Sequence, residues 1–170
     1  MNARNKIARA VGGAAMIAAV AGLTAGLAPA SAAPKPTPDA NLTVVPSDIV
    51  NPDYSRIILR GVFPMQEPDA FGFVKHLMDN GCGGMHYIVW GDDGSEQYLF
   101  DRNFPGTHED IEGFLRSSPR GLEYRREFLV PKGTLDEDKD GTDEVFVRAR
   151  FVDGDCVSRV QNTNVVKGNF

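Results

Sequence analysis

The segment that most constrains this chain is Val145-Phe146-Val147-Arg148-Ala149-Arg150-Phe151-Val152. Val145, Val147, Ala149 and Phe151 share one side of an extended strand and Arg148 and Arg150 the other, because successive strand residues point to opposite faces. Such a strand must cover its apolar face, which demands a sheet packed against a second layer. Similar runs come earlier. Ile57, Ile58, Leu59, Val62 and Phe63 are β-branched or aromatic, and Pro64 closes the run because it has no N–H for a ladder. Met85 to Trp90 reads as a buried strand joined by Gly91-Asp92-Asp93-Gly94-Ser95 to a second at Glu96 to Phe100, a hairpin pattern. Leu122 to Val130 forms another strand. Asp153-Gly154-Asp155 turns the chain into Cys156 to Val160, and a last strand runs from Asn164 to Lys167.

Two helices interrupt the strands. Pro68 suits a first helical turn, Phe71, Val74, Leu77 and Met78 recur at helical spacing, and Gly81 suits a left-handed C-terminal cap. Thr107 with Asp110 three residues on resembles an N-terminal cap ahead of Ile111, Phe114 and Leu115. The pattern predicts a mainly β fold, an antiparallel two-layer sandwich with two short helices, or alternatively an α+β sheet.

Residues 1–32 have the layout of a secretory signal peptide: basic Arg4, Lys6 and Arg9, an apolar run from Ala10 to Leu27, then Ala30-Ser31-Ala32. The expected cleavage follows Ala32. Residues 33–50, with Pro34, Pro36 and Pro38, read as a Pro-rich spacer, and 51–170 as a single β-rich domain. No later stretch is apolar for long enough to span a bilayer. The leader takes three of the 18 basic residues and none of the 23 acidic ones, so the mature chain carries 15 against 23, a net charge of −8. That sign disfavours nucleic acid and anionic membrane surfaces as partners. Export also sets the redox compartment, where Cys82 and Cys156 read as one disulfide clamping the end of the first helix to the C-terminal hairpin.

Chemistry concentrates in Leu135-Asp136-Glu137-Asp138-Lys139-Asp140-Gly141-Thr142-Asp143-Glu144. Asp136, Asp138, Asp140 and Gly141 match the opening half of a calcium loop, in which alternate carboxylates converge on a hard cation and glycine permits the turn. Counted from Asp136, the twelfth position is Val147 instead of the bidentate Glu, so further oxygens would come from Thr142, Asp143, Glu144 or a neighbouring loop. Asp92, Asp93 and Glu96 form a second acidic group, and Asp153 and Asp155 a third. The alternative is a soluble acidic connection, since Asp and Gly are turn residues. His76, His86 and His108 lack metal-ligand spacing, and there is no Gly-x-Ser-x-Gly elbow. Trp90 ends an apolar strand and is expected to pack in the core, the alternative being an aromatic sugar- or protein-binding surface made by Trp90, Tyr87, Tyr98 and Tyr124.

Gly61-Val62-Phe63-Pro64-Met65, Tyr87-Ile88-Val89-Trp90-Gly91-Asp92-Asp93 and Asp143-Glu144-Val145-Phe146-Val147-Arg148-Ala149 resemble small secreted β-rich proteins of high-GC Gram-positive bacteria. The resemblance implies export and fold, and it assigns no catalytic residue. Together these features point to a secreted, non-enzymatic, calcium-stabilised module that binds an extracellular protein or carbohydrate. The alternatives are a small secreted hydrolase working through paired carboxylates, and an extracellular protease inhibitor presenting the Arg116-Ser117-Ser118-Pro119-Arg120 turn.

Overall fold

The computed structural model describes residues 39–46, 49–92, 94–136 and 141–170. The expected leader, Asp93, Asp138 and Asp140 lie outside the described residues. Among the described residues, nine strands and one helix follow in the order β1 (Ala40–Val45), β2 (Tyr54–Pro64), α1 (Glu67–Lys75), β3 (Gly84–Asp92), β4 (Glu96–Pro105), β5 (Gly113–Ser118), β6 (Gly121–Pro131), β7 (Asp143–Val152), β8 (Ser158–Asn162) and β9 (Val166–Gly168). They build two antiparallel sheets, one ordered β1-β2-β6-β5 and the other β4-β3-β7-β8, with β9 also on β7. No helix among the described residues is long and apolar enough to cross a membrane.

The alternation in β7 holds as written: Val145, Val147, Ala149 and Phe151 are fully buried, and Arg148 and Arg150 sit half-exposed opposite them. Ile57 and Leu59 of β2, Leu122, Tyr124 and Val130 of β6 and Val89 of β3 join them in one core shared by both sheets. Aromatic rings bridge the layers, with Phe63 5.9 Å from Phe151 and Tyr87 5.9 Å from Tyr124. Each such pair contributes roughly 0.5–1.5 kcal/mol beyond its buried area. The β3–β4 hairpin forms as the sequence predicts, with a register shift between Val89 and Trp90.

Three expectations change. The second helix is absent, and Phe114 and Leu115 belong to β5 instead. Gly113 lies flat against β6, where a Cβ would come within 2.1 Å of the Arg125 carbonyl, and Asp110 accepts the Glu112 and Gly113 N–H groups through its side chain. A side chain that bonds its neighbouring backbone in this way competes with a helix. The first helix ends at Lys75, short of Gly81, because the next carbonyls are pressed by incoming glycines. A Cβ on Gly154 would lie 2.0 Å from the His76 oxygen, and one on Gly83 would lie 1.8 Å from that of Leu77. Finally, the expected spacer over 33–50 contains β1. Ala40, Leu42 and Val44 alternate into the core, and proline richness upstream masked that period of two.

Candidate functional site

The disulfide shapes the first candidate site. Cys82 follows α1 and Cys156 follows the turn after β7, and their bond brings the Cα atoms to 5.6 Å across a sequence separation of 74. The Asn80 amide donates to the Gly154 carbonyl at 2.6 Å alongside it. Between α1 and this turn opens a cleft of about 550 Å³, lined by Met65, Asp69, Phe73, His76, Asp79, Asp155 and Arg159 among others. Gly72 leaves open space on the helix face that looks into it. The Arg159 guanidinium lies 5.2 Å from the Phe73 ring centroid, and His76 Nδ1 sits 2.9 Å from an Asp79 carboxylate oxygen. Asp153 is taken up structurally, since one of its oxygens accepts the N–H groups of Asp155 and Val157 at 3.0 and 2.9 Å. Asp69 and Asp155 form no ion pair among the described residues. The result is an aromatic floor with carboxylate and guanidinium groups on its rim, suited to hydrogen-bonding a polar ligand.

Of the three acidic groups, only Asp153 and Asp155 line the cleft among the described residues. Neither Asp92 nor Asp136 lines the cleft. Asp136 and Thr142 are exposed, and Glu144 pairs with Lys167. No three His, Cys, Asp or Glu side chains converge as a metal-holding group among the described residues. The 116–120 segment comprises the end of β5 and the turn into β6, fixed by the Ser118 hydroxyl, which donates to the Gly121 carbonyl and accepts the Arg120 N–H.

Trp90, expected in the core, stands on the outer face of its sheet, because it alternates with Val89 and shares its side with His86 and Ile88. It meets Tyr98 edge-on at 5.9 Å under the Arg148 guanidinium, which also bonds Glu96. Beside it Tyr98 donates to Asp101 at 2.7 Å and His86 lies 2.6 Å from the other carboxylate oxygen. The Tyr98 hydrogen bond first, and that of His86 second, hold the Asp101 carboxyl below its ordinary range. The same bond raises the Tyr98 hydroxyl. Tyr87 and Tyr124 are buried between the sheets instead of forming a surface.

Sequence reasoning missed a group of arginines. On the outer face of the β1-β2-β6-β5 sheet, Arg60, Arg120 and Arg125 surround a second pocket of about 490 Å³ with Asn41, Phe114 and Glu123. Their signal was alternation within β2 and β6, hidden by the net negative charge of the whole chain. The inward-facing Arg126 is different. It is buried, lies 4.5 Å from the Phe104 ring centroid, and donates to Asp110 at 3.0 Å and to the His108 carbonyl at 2.7 Å. That bond holds the Asp110 carboxyl below its ordinary range.

These features define a mainly β, disulfide-bridged domain with open surface sites. No protein-family model, curated protein or solved structure matches the chain.

Proposed function

We propose that the protein is an exported, non-enzymatic two-layer β-sandwich that binds an extracellular carbohydrate or protein in the cleft beside α1. The observation that carries this reading is the Cys82–Cys156 bond, which ties the helix wall of the cleft to the hairpin wall. A concavity held in shape before binding loses little entropy when a ligand enters. The Phe73 ring offers a sugar ring or an apolar side chain a flat surface, and Asp69, Asp155 and Arg159 supply hydrogen bonds at the edge. Export is supported by the leader pattern of residues 1–32 and by the disulfide. The hydrolase alternative calls for Asp92, Asp93 and the 136–140 carboxylates in one concavity, and of these the two described ones, Asp92 and Asp136, stand outside the cleft.

NMR titration of the oxidised protein with neutral cell-wall oligosaccharides and peptides tests the cleft. Shifts centred on Phe73, His76 and Arg159, abolished in Phe73→Ala, support the reading; shifts elsewhere, or none, remove it. Intact mass in culture fluid tests export, with an N-terminus at Ala33 expected. Calcium binding in the 136–144 segment rests on the alternate carboxylates Asp136, Asp138 and Asp140. An unchanged melting curve on adding calcium would dismiss it.

A further inference from the structure

We propose that the outer face of the β1-β2-β6-β5 sheet is a second binding surface, separate from the cleft, whose ligand is a carboxylated polysaccharide gripped by Arg60 and Arg125. The register aligns Asn41, Arg60, Arg125 and Phe114 side by side across all four strands. With strands about 4.8 Å apart, this row is about 14 Å wide. At its centre Arg60 and Arg125 are directly paired across the two strands, and like charges so placed destabilise a sheet.

The neighbouring carboxylates do not resolve the conflict. Glu127 is shared by Arg56 and Arg125, and Glu123 by Arg116 and Arg120. Arg60 is exposed and forms no ion pair among the described residues. Arg125 Nε is buried and meets no hydrogen-bond partner there. Arg60, Arg116, Arg120 and Arg125 outnumber Glu123, Glu127 and Asp39, the third carboxylate at this pocket, and leave this face cationic on a chain whose net charge has the opposite sign. A surplus concentrated against the overall sign selects an anionic partner at this face.

The chemistry favours carboxylates on a sugar chain. A planar guanidinium matches a carboxylate through two parallel hydrogen bonds. Asn41 at one end of the row can bond ring hydroxyls, and Phe114 at the other, with the Arg116 guanidinium 4.0 Å from its centroid, gives a flat edge for a sugar ring. A denser polyanion is disfavoured. Duplex nucleic acid carries a charge about every 1.7 Å, and the acidic remainder of the surface would repel its overhanging length.

Binding of the oxidised full chain to immobilised polygalacturonate, with neutral dextran and polyphosphate as comparators, tests the proposal. At about 50 mM salt, where screening is weak, polygalacturonate should bind, dextran should not, and affinity should fall as salt rises. Arg60→Glu should weaken binding about tenfold or more while raising the melting temperature, because it places a carboxylate opposite Arg125. Arg60→Lys, which keeps the charge and loses the fork, should fall between, and Arg159→Glu in the cleft should bind as the parent does. Absence of binding to polygalacturonate, or equal binding by Arg60→Glu, overturns the proposal. Tighter binding to polyphosphate than to polygalacturonate overturns the choice of a polysaccharide.

Discussion

The side-chain amide of Asn164 holds both backbone groups of Leu42: its oxygen accepts the Leu42 N–H at 2.8 Å and its nitrogen donates to the Leu42 carbonyl at 3.2 Å. Leu42 sits in β1, the edge of its sheet, where unpaired backbone groups otherwise invite another strand. Asn164, between β8 and β9, thus acts as a one-residue strand partner and ties one sheet to the other. Asn164→Ala leaves both groups without these bonds and should cost about 1–3 kcal/mol in urea unfolding. The Leu42 amide should exchange with solvent faster than in the parent. Exchange at an unchanged rate would show that the amide pair does not secure β1.

The Asp110–Arg126 contact predicts a pH dependence of known sign. The Asp110 carboxyl titrates lower in the folded protein than in the unfolded chain, first because of its hydrogen bond to Arg126. Its stabilising effect is therefore complete above the ordinary carboxylate range and is lost as pH falls through the depressed folded value. Asp110→Asn should be less stable than the parent at about pH 7, and the gap should close toward about pH 3. A gap that stays constant with pH would show that the contact contributes no charge-linked stability.

Removing the disulfide tests whether it stabilises chiefly by restricting the unfolded chain. For a loop of this length the chain-entropy model assigns about 4 kcal/mol to the bond. Cys82→Ser with Cys156→Ser should lower stability by an amount of that order, with little change in the inner-face pairs Phe63–Phe151 and Tyr87–Tyr124. The cleft should loosen first, seen as faster amide exchange over Asn80 to Gly84. A cleft that keeps its exchange rates after the substitution would mean that the Asn80–Gly154 bond alone holds the walls together.

The strands were legible because burial on one face imprints a period of two, and β7 shows it with Phe146 as the one further buried residue on the other face. The cysteine pair was legible from its number and from the oxidising compartment that the leader pattern led one to expect. The region after Thr107 misled because capping residues and an apolar trio mimic a helix start, whereas Gly113 against the Arg125 carbonyl and Asp110 on Arg126 are contacts made across the sequence. β1 was missed for a related reason, as its partner residues in β2 lie beyond the intervening loop. The arginine row is a property of register, since Arg60 and Arg125 become neighbours only once β2 pairs with β6. Net charge, the quantity composition reports, had the opposite sign.

Gly61 and Tyr124 face each other on β2 and β6, and the tyrosine ring lies across the glycine. A Cβ at position 61 would come within 2.3 Å of the Tyr124 hydroxyl oxygen and 2.4 Å of the ring carbon that bears it, so the absent side chain is what admits the ring. The hydroxyl is buried and has no hydrogen-bond partner among the described residues, and burial, with Asp39 adding, pushes its ionisation well up. Gly61→Ala should therefore destabilise by about 1–3 kcal/mol through overpacking. Tyr124→Phe removes an unsatisfied polar atom while keeping the ring, and should be neutral or stabilising by up to about 1–3 kcal/mol. The two sites should couple: in a Tyr124→Leu background, which vacates the space over position 61, Gly61→Ala should lose most of its cost. Urea unfolding of the four proteins measures the cycle, and a Tyr124→Phe variant less stable than the parent would reveal a partner for the hydroxyl and reverse the argument.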